Sequence, residues 1–160
     1  MNAIELLLQQ HRDAARLFDA IESSRSEDKG ALFDALADAL AIHTTIEERH
    51  FYPAVRALRT KDIALESLAE HLGIKRALAD MLDVDPDEAE FDPKLEQLKE
   101  LVQTHVGEEE NDLFPKVSKL FDAAQLEDLG DDMETTAAEL KEGGEPRLEI
   151  PNETGHAPGF

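Results

Sequence analysis

The sequence contains no cysteine and no tryptophan, and only 5% of its residues are aromatic. Without cysteine the chain cannot form disulfides, thiolate zinc sites or cysteine-ligated iron–sulfur clusters. Any transition metal would therefore have to be bound by histidine and carboxylate side chains.

Basic residues are scarce: 16 lysines and arginines stand against 37 aspartates and glutamates, which gives a net charge of −21 at pH 7. Such a surface repels the phosphate groups of nucleic acids and of anionic membranes. No run approaches the roughly 20 apolar residues that cross a bilayer, and no basic stretch followed by an apolar run marks the N-terminal region. We therefore expect a cytoplasmic monomer or weak homo-oligomer with no nucleic-acid or membrane partner.

Apolar residues recur at helical spacing in four long stretches, and the residue types that dominate the chain favour helix over strand. Short segments rich in Ser, Asp and Pro join these stretches, and short connections place consecutive long helices antiparallel. The sequence therefore predicts an all-α protein in which residues 1–120 form an antiparallel up-down-up-down four-helix bundle. It also predicts a short fifth helix over 121–142 and an extended tail over 143–160.

The chain contains an internal duplication, in which residues 43–53 align without gaps on residues 105–115. Both copies read His, three residues, Glu-Glu, two residues, two large apolar residues and Pro. His11 and His71 form a second pair, each on the helix that precedes one copy of the motif. Two helix pairs therefore repeat, each with one histidine on its first helix and a His-x-x-x-Glu motif on its second.

The spacing places these groups on the helix faces that should point into the core. Residues four apart lie about 40° apart around the axis, so the histidine and the first glutamate of each motif point the same way. Burying them without compensation would cost several kcal/mol per charged group, and a multivalent cation removes that cost. Iron, manganese and zinc all suit such donors. The six predicted metal ligands are His11, His43, Glu47, His71, His105 and Glu109.

The duplicated motif resembles the hemerythrin family, in particular the bacterial HHE cation-binding domains, over residues 1–120. The resemblance implies an antiparallel four-helix bundle that holds a non-haem pair of iron ions. It implies the following ligand sets: His11 and His43 for one iron, His71 and His105 for the other, and Glu47 and Glu109 as bridges.

One position departs from the family pattern. Oxygen-carrying hemerythrins have a further histidine one turn after the histidine of the third helix, and this chain has Lys75 there. The resemblance then implies that both irons keep an open position, which favours reactivity over reversible oxygen storage. We hypothesise that Lys75 pairs with a bridging glutamate or donates a hydrogen bond to a bound oxygen species.

The resemblance implies a small oxidant as the partner: dioxygen, hydrogen peroxide or nitric oxide. An enzyme would decompose peroxide in the manner of a catalase or act as an oxidase. A protein without turnover would bind or sense oxygen, nitric oxide or iron. A structural bundle stapled by its metal is the third alternative.

The other polar residues of the motif receive simpler predictions. Glu48 and Glu110 fall off the inward face and are expected in solvent, with a contact to a ligand as the alternative. His50 shares the face of His43 but lies about 10 Å further along the axis, so we expect it to pack or to contact a ligand. Tyr52 is expected to pack inside the bundle, a redox role being less favoured.

Overall fold

The structure is a computed structural model that describes residues 1–57 and 61–155, and these contain helices but no β-strand. The all-α prediction is therefore confirmed. In chain order the α-helices are α1 Ala3–Ser23, α2 Ser26–Ile46, α3 Tyr52–Arg56, α4 Lys61–Leu82, α5 Phe91–Glu108, α6 Phe114–Leu120 and α7 Ala123–Glu142. Two π-helical turns, Glu47–Phe51 and Glu109–Leu113, join α2 to α3 and α5 to α6. A 3₁₀-helix follows at Pro146–Glu153.

Polar side chains define where α1 and α7 begin. The Asn2 side chain accepts a hydrogen bond from the Glu5 backbone N–H, and the Asn2 backbone N–H donates to the Glu5 carboxylate in return. Asp122 and Gln125 form the same reciprocal pair at the start of α7. Such pairs satisfy backbone donors that have no partner inside the helix. Helix α7, which the second pair starts, is the fifth helix predicted from the sequence.

Helices α1, α2, α4 and α5 alternate in direction, as the apolar clusters at their two ends show. One apolar cluster includes Phe18, Leu36, Leu78 and Leu95. The other includes Leu7, Ile46, Leu68 and Leu113. Helices α1 and α4 run from the second cluster to the first, whereas α2 and α5 run from the first to the second. The four-helix bundle is therefore antiparallel, and a polar layer separates its two apolar clusters.

The two π-helical turns lie at equivalent places in the duplication. In each, a backbone N–H bonds the carbonyl five residues earlier: Tyr52 to Glu47, and Phe114 to Glu109. A proline follows directly in both copies, and proline lacks an N–H and clashes with the carbonyl four residues before it. The wider turn accommodates that proline without ending the helix, and such turns are frequent at functional sites.

The tail predicted over 143–160 is not extended throughout. Residues 146–153 form the 3₁₀-helix, which packs on α2 and α4, and Ile150 is buried in the first apolar cluster. Arg147 anchors the segment by donating to Asp38 from its backbone and from its guanidinium, both at 3.0 Å. The last part of that predicted tail, residues 156–160, lies outside the described residues.

In the described part of the chain, no helix combines the length and the apolar character that crossing a bilayer requires.

Candidate metal centre

The six side chains predicted as metal ligands meet in the polar layer of the bundle. Each is at most 7% exposed. The four histidines come from α1, α2, α4 and α5, and the two glutamates are the first residues of the two π-helical turns. The six buried residues are His11, His43, Glu47, His71, His105 and Glu109.

The four imidazoles form two pairs. The ring centres of His11 and His43 lie 5.0 Å apart, and those of His71 and His105 lie 4.6 Å apart. These are the pairs that the family resemblance assigns to the two irons.

Each inner carboxylate contacts one imidazole of each pair. Glu47 Oε1 lies 2.9 Å from His43 Nε2 and 3.0 Å from His71 Nε2. Glu109 Oε1 lies 3.1 and 3.3 Å from Nε2 of the remaining two imidazoles. Both carboxylates thus lie between the two imidazole pairs, which is the placement that a bridging ligand needs.

The outward nitrogen of every imidazole contacts a side-chain oxygen. An Nδ1–H that donates to such an oxygen leaves the Nε2 lone pair free to face the centre, which is how metal-binding histidines are commonly oriented. The four Nδ1 contacts are His11 to Glu110 at 2.8 Å, His43 to Gln10 at 2.7 Å, His71 to Glu48 at 2.7 Å and His105 to Glu70 at 2.9 Å.

These outer contacts follow the duplication and correct one prediction. Gln10 and Glu70 directly precede the first-helix histidines, while Glu48 and Glu110 directly follow the inner glutamates. The latter two contact predicted ligand histidines of the other half, which is the alternative prediction for both residues. The expectation that they lie in solvent is wrong for Glu48, whereas Glu110 is exposed as expected. The side chain of Glu48 is 11% exposed and that of Glu110 is 38% exposed.

Two buried atoms in this layer lack a hydrogen-bond partner, which is the pattern expected of a cation site. His43 Nε2 and Glu47 Oε2 are buried without a hydrogen bond. His71 Nε2 and His105 Nε2 lie 3.1 Å apart, so these two imidazoles also bring their inner nitrogens together in this layer. Buried unpaired acceptors cost free energy, and a metal ion would satisfy them. The donor atoms present therefore fit a borderline divalent metal.

The charges of the side chains in this layer also favour a bound cation. Burial acts to raise the pKa of Glu47, but the neighbouring imidazoles hold that pKa well below its usual value. Burial acts to lower the pKa of His105, yet the Glu109, Glu47 and Glu70 carboxylates together raise it well above the usual value. The layer thus keeps the Glu47 carboxylate ionised and favours a positive charge on His105.

Comparison with known proteins identifies the family. The sequence pattern of the hemerythrin HHE cation-binding domain matches residues 2–117. This chain belongs to the hemerythrin HHE cation-binding family. The resemblance drawn from the duplicated motif is thereby confirmed, and an HHE domain with a buried His and Glu cluster supports metal binding.

A solved structure and two sequences are similar to this HHE domain. The crystal structure of an HHE cation-binding domain protein from Mycobacterium kansasii, a homolog of Rv2633c, superposes with a TM-score of 0.81 at 27% identity, covering 96% of this chain and 94% of that one. The uncharacterized protein Rv2633c of Mycobacterium tuberculosis is 27% identical over 144 residues, 88% of each chain. A DNA nickase of Nostoc sp. is 25% identical over 143 residues, which are 89% of this chain but 41% of the nickase.

Tyr52 is buried inside the bundle, as predicted, but its hydroxyl reaches the centre of the HHE domain, which the sequence did not predict. Its hydroxyl donates to Glu109 Oε2 at 2.9 Å and lies 3.1 Å from His71 Nε2 and 3.4 Å from His105 Nε2. Burial raises the pKa of Tyr52 well above its usual value, and the two inner carboxylates raise it further. The phenol therefore stays protonated in the metal-free protein, with its oxygen among the predicted ligands.

The π-helical turn explains why the sequence did not predict the contact between the Tyr52 hydroxyl and the centre. In a continuous α-helix, Tyr52 would be rotated about 140° from Glu47 and would point away from the centre. The bond from Tyr52 N–H to the Glu47 carbonyl instead places the two residues one above the other. The same register change moves His50 away from the centre, where its Nε2 contacts Thr136 Oγ1 of α7 at 2.7 Å.

Lys75 is buried, as its inward position predicts, but its partners differ from those expected. Its ammonium donates to Glu48 Oε1 at 2.8 Å and to Glu153 Oε1 at 3.2 Å. It pairs with neither inner glutamate, so that part of the hypothesis is wrong. Lys75 instead contacts the carboxylate that holds His71.

Two cavities adjoin the centre on the side of His11. An open cavity of about 410 Å³ lies between α1 and α5, and its walls include His11, Ala15 and Glu110. An enclosed chamber of about 20 Å³ touches His11, His43 and His105 and has otherwise mostly apolar walls. His11, Val102 and Val106 line both cavities, so they separate the chamber from the opening to solvent.

Proposed function

We propose that this HHE domain binds two iron ions and exposes them to a small oxidant, namely dioxygen, hydrogen peroxide or nitric oxide. The observation that carries the proposal is that each inner carboxylate contacts one imidazole of each pair. This arrangement favours one ion beside His11 and His43 and a second beside His71 and His105, bridged by Glu47 and Glu109. Manganese and zinc suit the same donors and are the alternatives.

The chain would supply the two ions with unequal surroundings. Bound iron supplies electron exchange with the oxidant. The Tyr52 hydroxyl could serve as a further oxygen donor on the His71 side, where this chain has Lys75 instead of the histidine of oxygen-carrying hemerythrins. On the His11 side the equivalent residue is Phe114, which stacks on the imidazole with ring centres 5.7 Å apart and offers no donor. An open coordination position is therefore expected beside His11.

The size of the enclosed chamber supports a small substrate. A cavity needs a volume of about 10–15 Å³ to hold one water molecule. The enclosed chamber of about 20 Å³ therefore has room for one molecule of similar size. Val102, Val106 and Leu40 form apolar walls that exclude bulk water and disfavour charged molecules. A neutral molecule such as peroxide, dioxygen or nitric oxide meets both conditions.

Peroxide decomposition is the enzymatic form of this proposal. Two peroxide molecules give one dioxygen and two waters, one peroxide being oxidised and the other reduced, so no outside reductant is needed. The alternative is a protein that binds or senses oxygen, nitric oxide or iron without turnover, and the same chamber serves either function.

A combined metal and activity measurement tests the proposal. Freshly purified protein should contain two irons per chain, and its iron-loaded form should evolve oxygen from peroxide over many turnovers. His43→Ala should abolish both, whereas the matched control His50→Ala should leave both intact because His50 contacts Thr136 outside the centre. Stoichiometric, reversible gas binding without oxygen evolution would favour the binder, and failure to retain iron would refute the di-iron proposal.

The name of the Nostoc relative raises a DNA-directed activity, which we do not favour. Less than half of that nickase is matched by this chain. The net charge of −21 opposes contact with a phosphate backbone.

A further inference from the structure

The C-terminal 3₁₀-helix reaches the metal centre through a buried lysine. Lys75 is 1% exposed, and an ammonium in that position needs negative partners because burial of an unpaired charge is costly. It has two: Glu48 of the first π-helical turn and Glu153, the last residue of the 3₁₀-helix. The second partner is 78 residues away in the chain.

The same contacts continue to a predicted metal ligand. Glu48 uses one carboxylate oxygen for Lys75 and the other for His71 Nδ1, at 2.8 and 2.7 Å. Both oxygens of the Glu48 carboxylate are therefore held by hydrogen bonds. The contacts run from Glu153 to Lys75, to Glu48 and to His71 without a gap.

The segment that carries Glu153 is fixed to the bundle at both of its ends. Near its start, Arg147 pairs with Asp38 of α2 at 3.0 Å. In its middle, Ile150 is 1% exposed. After its end, the Thr154 carbonyl accepts from Arg76 Nε of α4 at 3.0 Å. Glu153 thus meets Lys75 from a docked segment, although its own side chain is 39% exposed.

We propose that the docked 3₁₀-helix supplies the metal centre with one positioning residue, Glu153, which fixes His71 through Lys75 and Glu48. The inference rests on the proposed role of His71 as a metal ligand. Outer partners of metal-bound histidines set ring orientation and commonly change metal affinity by about 10–100-fold when removed. Because coupling between two sites is reciprocal, bound metal should also tighten the docking of the segment.

The test compares Glu153→Gln with Glu149→Gln. Both replacements keep side-chain size and remove one charge from the same segment, but Glu149 contacts Asn152 and not Lys75. We expect Glu153→Gln to release Co²⁺ or iron to an excess of chelator about 3–10 times faster than the wild type, which is below the range for direct outer partners because Glu48 still contacts His71. Glu149→Gln should release metal at the wild-type rate.

A second readout needs no metal. Trypsin cleavage after Arg147 reports undocking of the segment, and the ring signals of His71 in NMR spectra report its orientation. In the metal-free protein, Glu153→Gln should speed cleavage and shift the His71 signals, and in the wild type added Co²⁺ should slow cleavage. Arg147→Gln cannot be cleaved there, but it loosens the same segment from its other end and should also speed metal release.

These readouts separate the inference from the function on which it rests. If the protein retains no metal, the di-iron proposal fails, while cleavage and the His71 signals still show whether Glu153 acts on that imidazole. Unchanged His71 signals in Glu153→Gln, or metal release at the wild-type rate from both Glu153→Gln and Arg147→Gln, would overturn the inference.

Discussion

The His71 side of the centre is closed, whereas the His11 side opens onto a cavity. His71 aligns with His11 in the duplication, so Lys75 corresponds to Ala15. Lys75 fills the space beside its imidazole and ties it to the C-terminal segment. Ala15 leaves that space empty, and the cavity of about 410 Å³ occupies it.

A second pair of residues widens the difference between the two sides. Tyr52 and Phe114 occupy the same position of the repeated motif, but only Tyr52 brings a hydroxyl to the centre. The duplication therefore repeats the predicted ligands and their outer partners, while two substitutions give one side a further hydroxyl and a buried lysine and leave the other beside a cavity. Such a division suits a centre in which one ion is structural and its neighbour meets the substrate.

The largest expected effect comes from removing what the two sides share. Glu47→Ala takes away a carboxylate that contacts an imidazole of each pair, so both ions should bind more than about 100-fold more weakly, beyond the range for outer partners. Metal content per chain after dialysis measures this, with Glu100→Ala, an exposed glutamate on α5, as the control. Tight retention of one ion would show that the two sides bind metal independently.

The closed side should also contribute more to folding. Lys75→Met removes a buried ammonium from between two carboxylates, and breaking a buried pair costs about 3 kcal/mol of unfolding free energy. The control, Lys116→Met, breaks an exposed pair with Asp112 and should cost less than about 1 kcal/mol. Urea unfolding of the metal-free proteins gives both values, and equal losses would contradict the view that Lys75 holds the closed side together.

The sequence predicts the repeated ligands because regular helices carry their spacing. His43 and Glu47 are four residues apart, and that separation fixes a common direction before any tertiary contact forms. The same regularity does not predict that the Tyr52 hydroxyl reaches the centre or that His50 contacts Thr136, since a π-helical turn changes the register of both residues. Only a tertiary structure could identify Glu153 as a partner of Lys75, because no local periodicity relates residues so far apart in the chain.

Tyr52→Phe makes the two sides alike at the second pair of residues. Loss of the hydroxyl removes an oxygen 3.1 Å from His71 Nε2, so we expect one ion to be lost about tenfold more readily while the other is retained. Release of two iron ions to a chelator should then separate into a faster and an unchanged phase. A single unchanged phase would mean that the hydroxyl only packs the core.

The smallest effect should come from narrowing the open side. Gly107 lines the cavity beside His11, and a Cβ there would meet only Asn111, at 4.0 Å. Gly107→Leu should therefore fold, because leucine favours helix more than glycine does. We expect nitric oxide to enter the iron-loaded protein roughly threefold more slowly in stopped-flow absorbance, which corresponds to a barrier raised by less than about 1 kcal/mol, with its equilibrium affinity unchanged.

The matched control for this change lies on the opposite face of the bundle. Gly73 lines a groove of about 580 Å³ between α4 and α5, and nothing lies within 4 Å of a Cβ at that position. Gly73→Leu adds the same side chain to a helix of the closed side, so the rate of nitric oxide entry should stay at the wild-type value. If Gly73→Leu slows entry and Gly107→Leu does not, small molecules reach the centre past His71, and the open and closed sides would have to be exchanged.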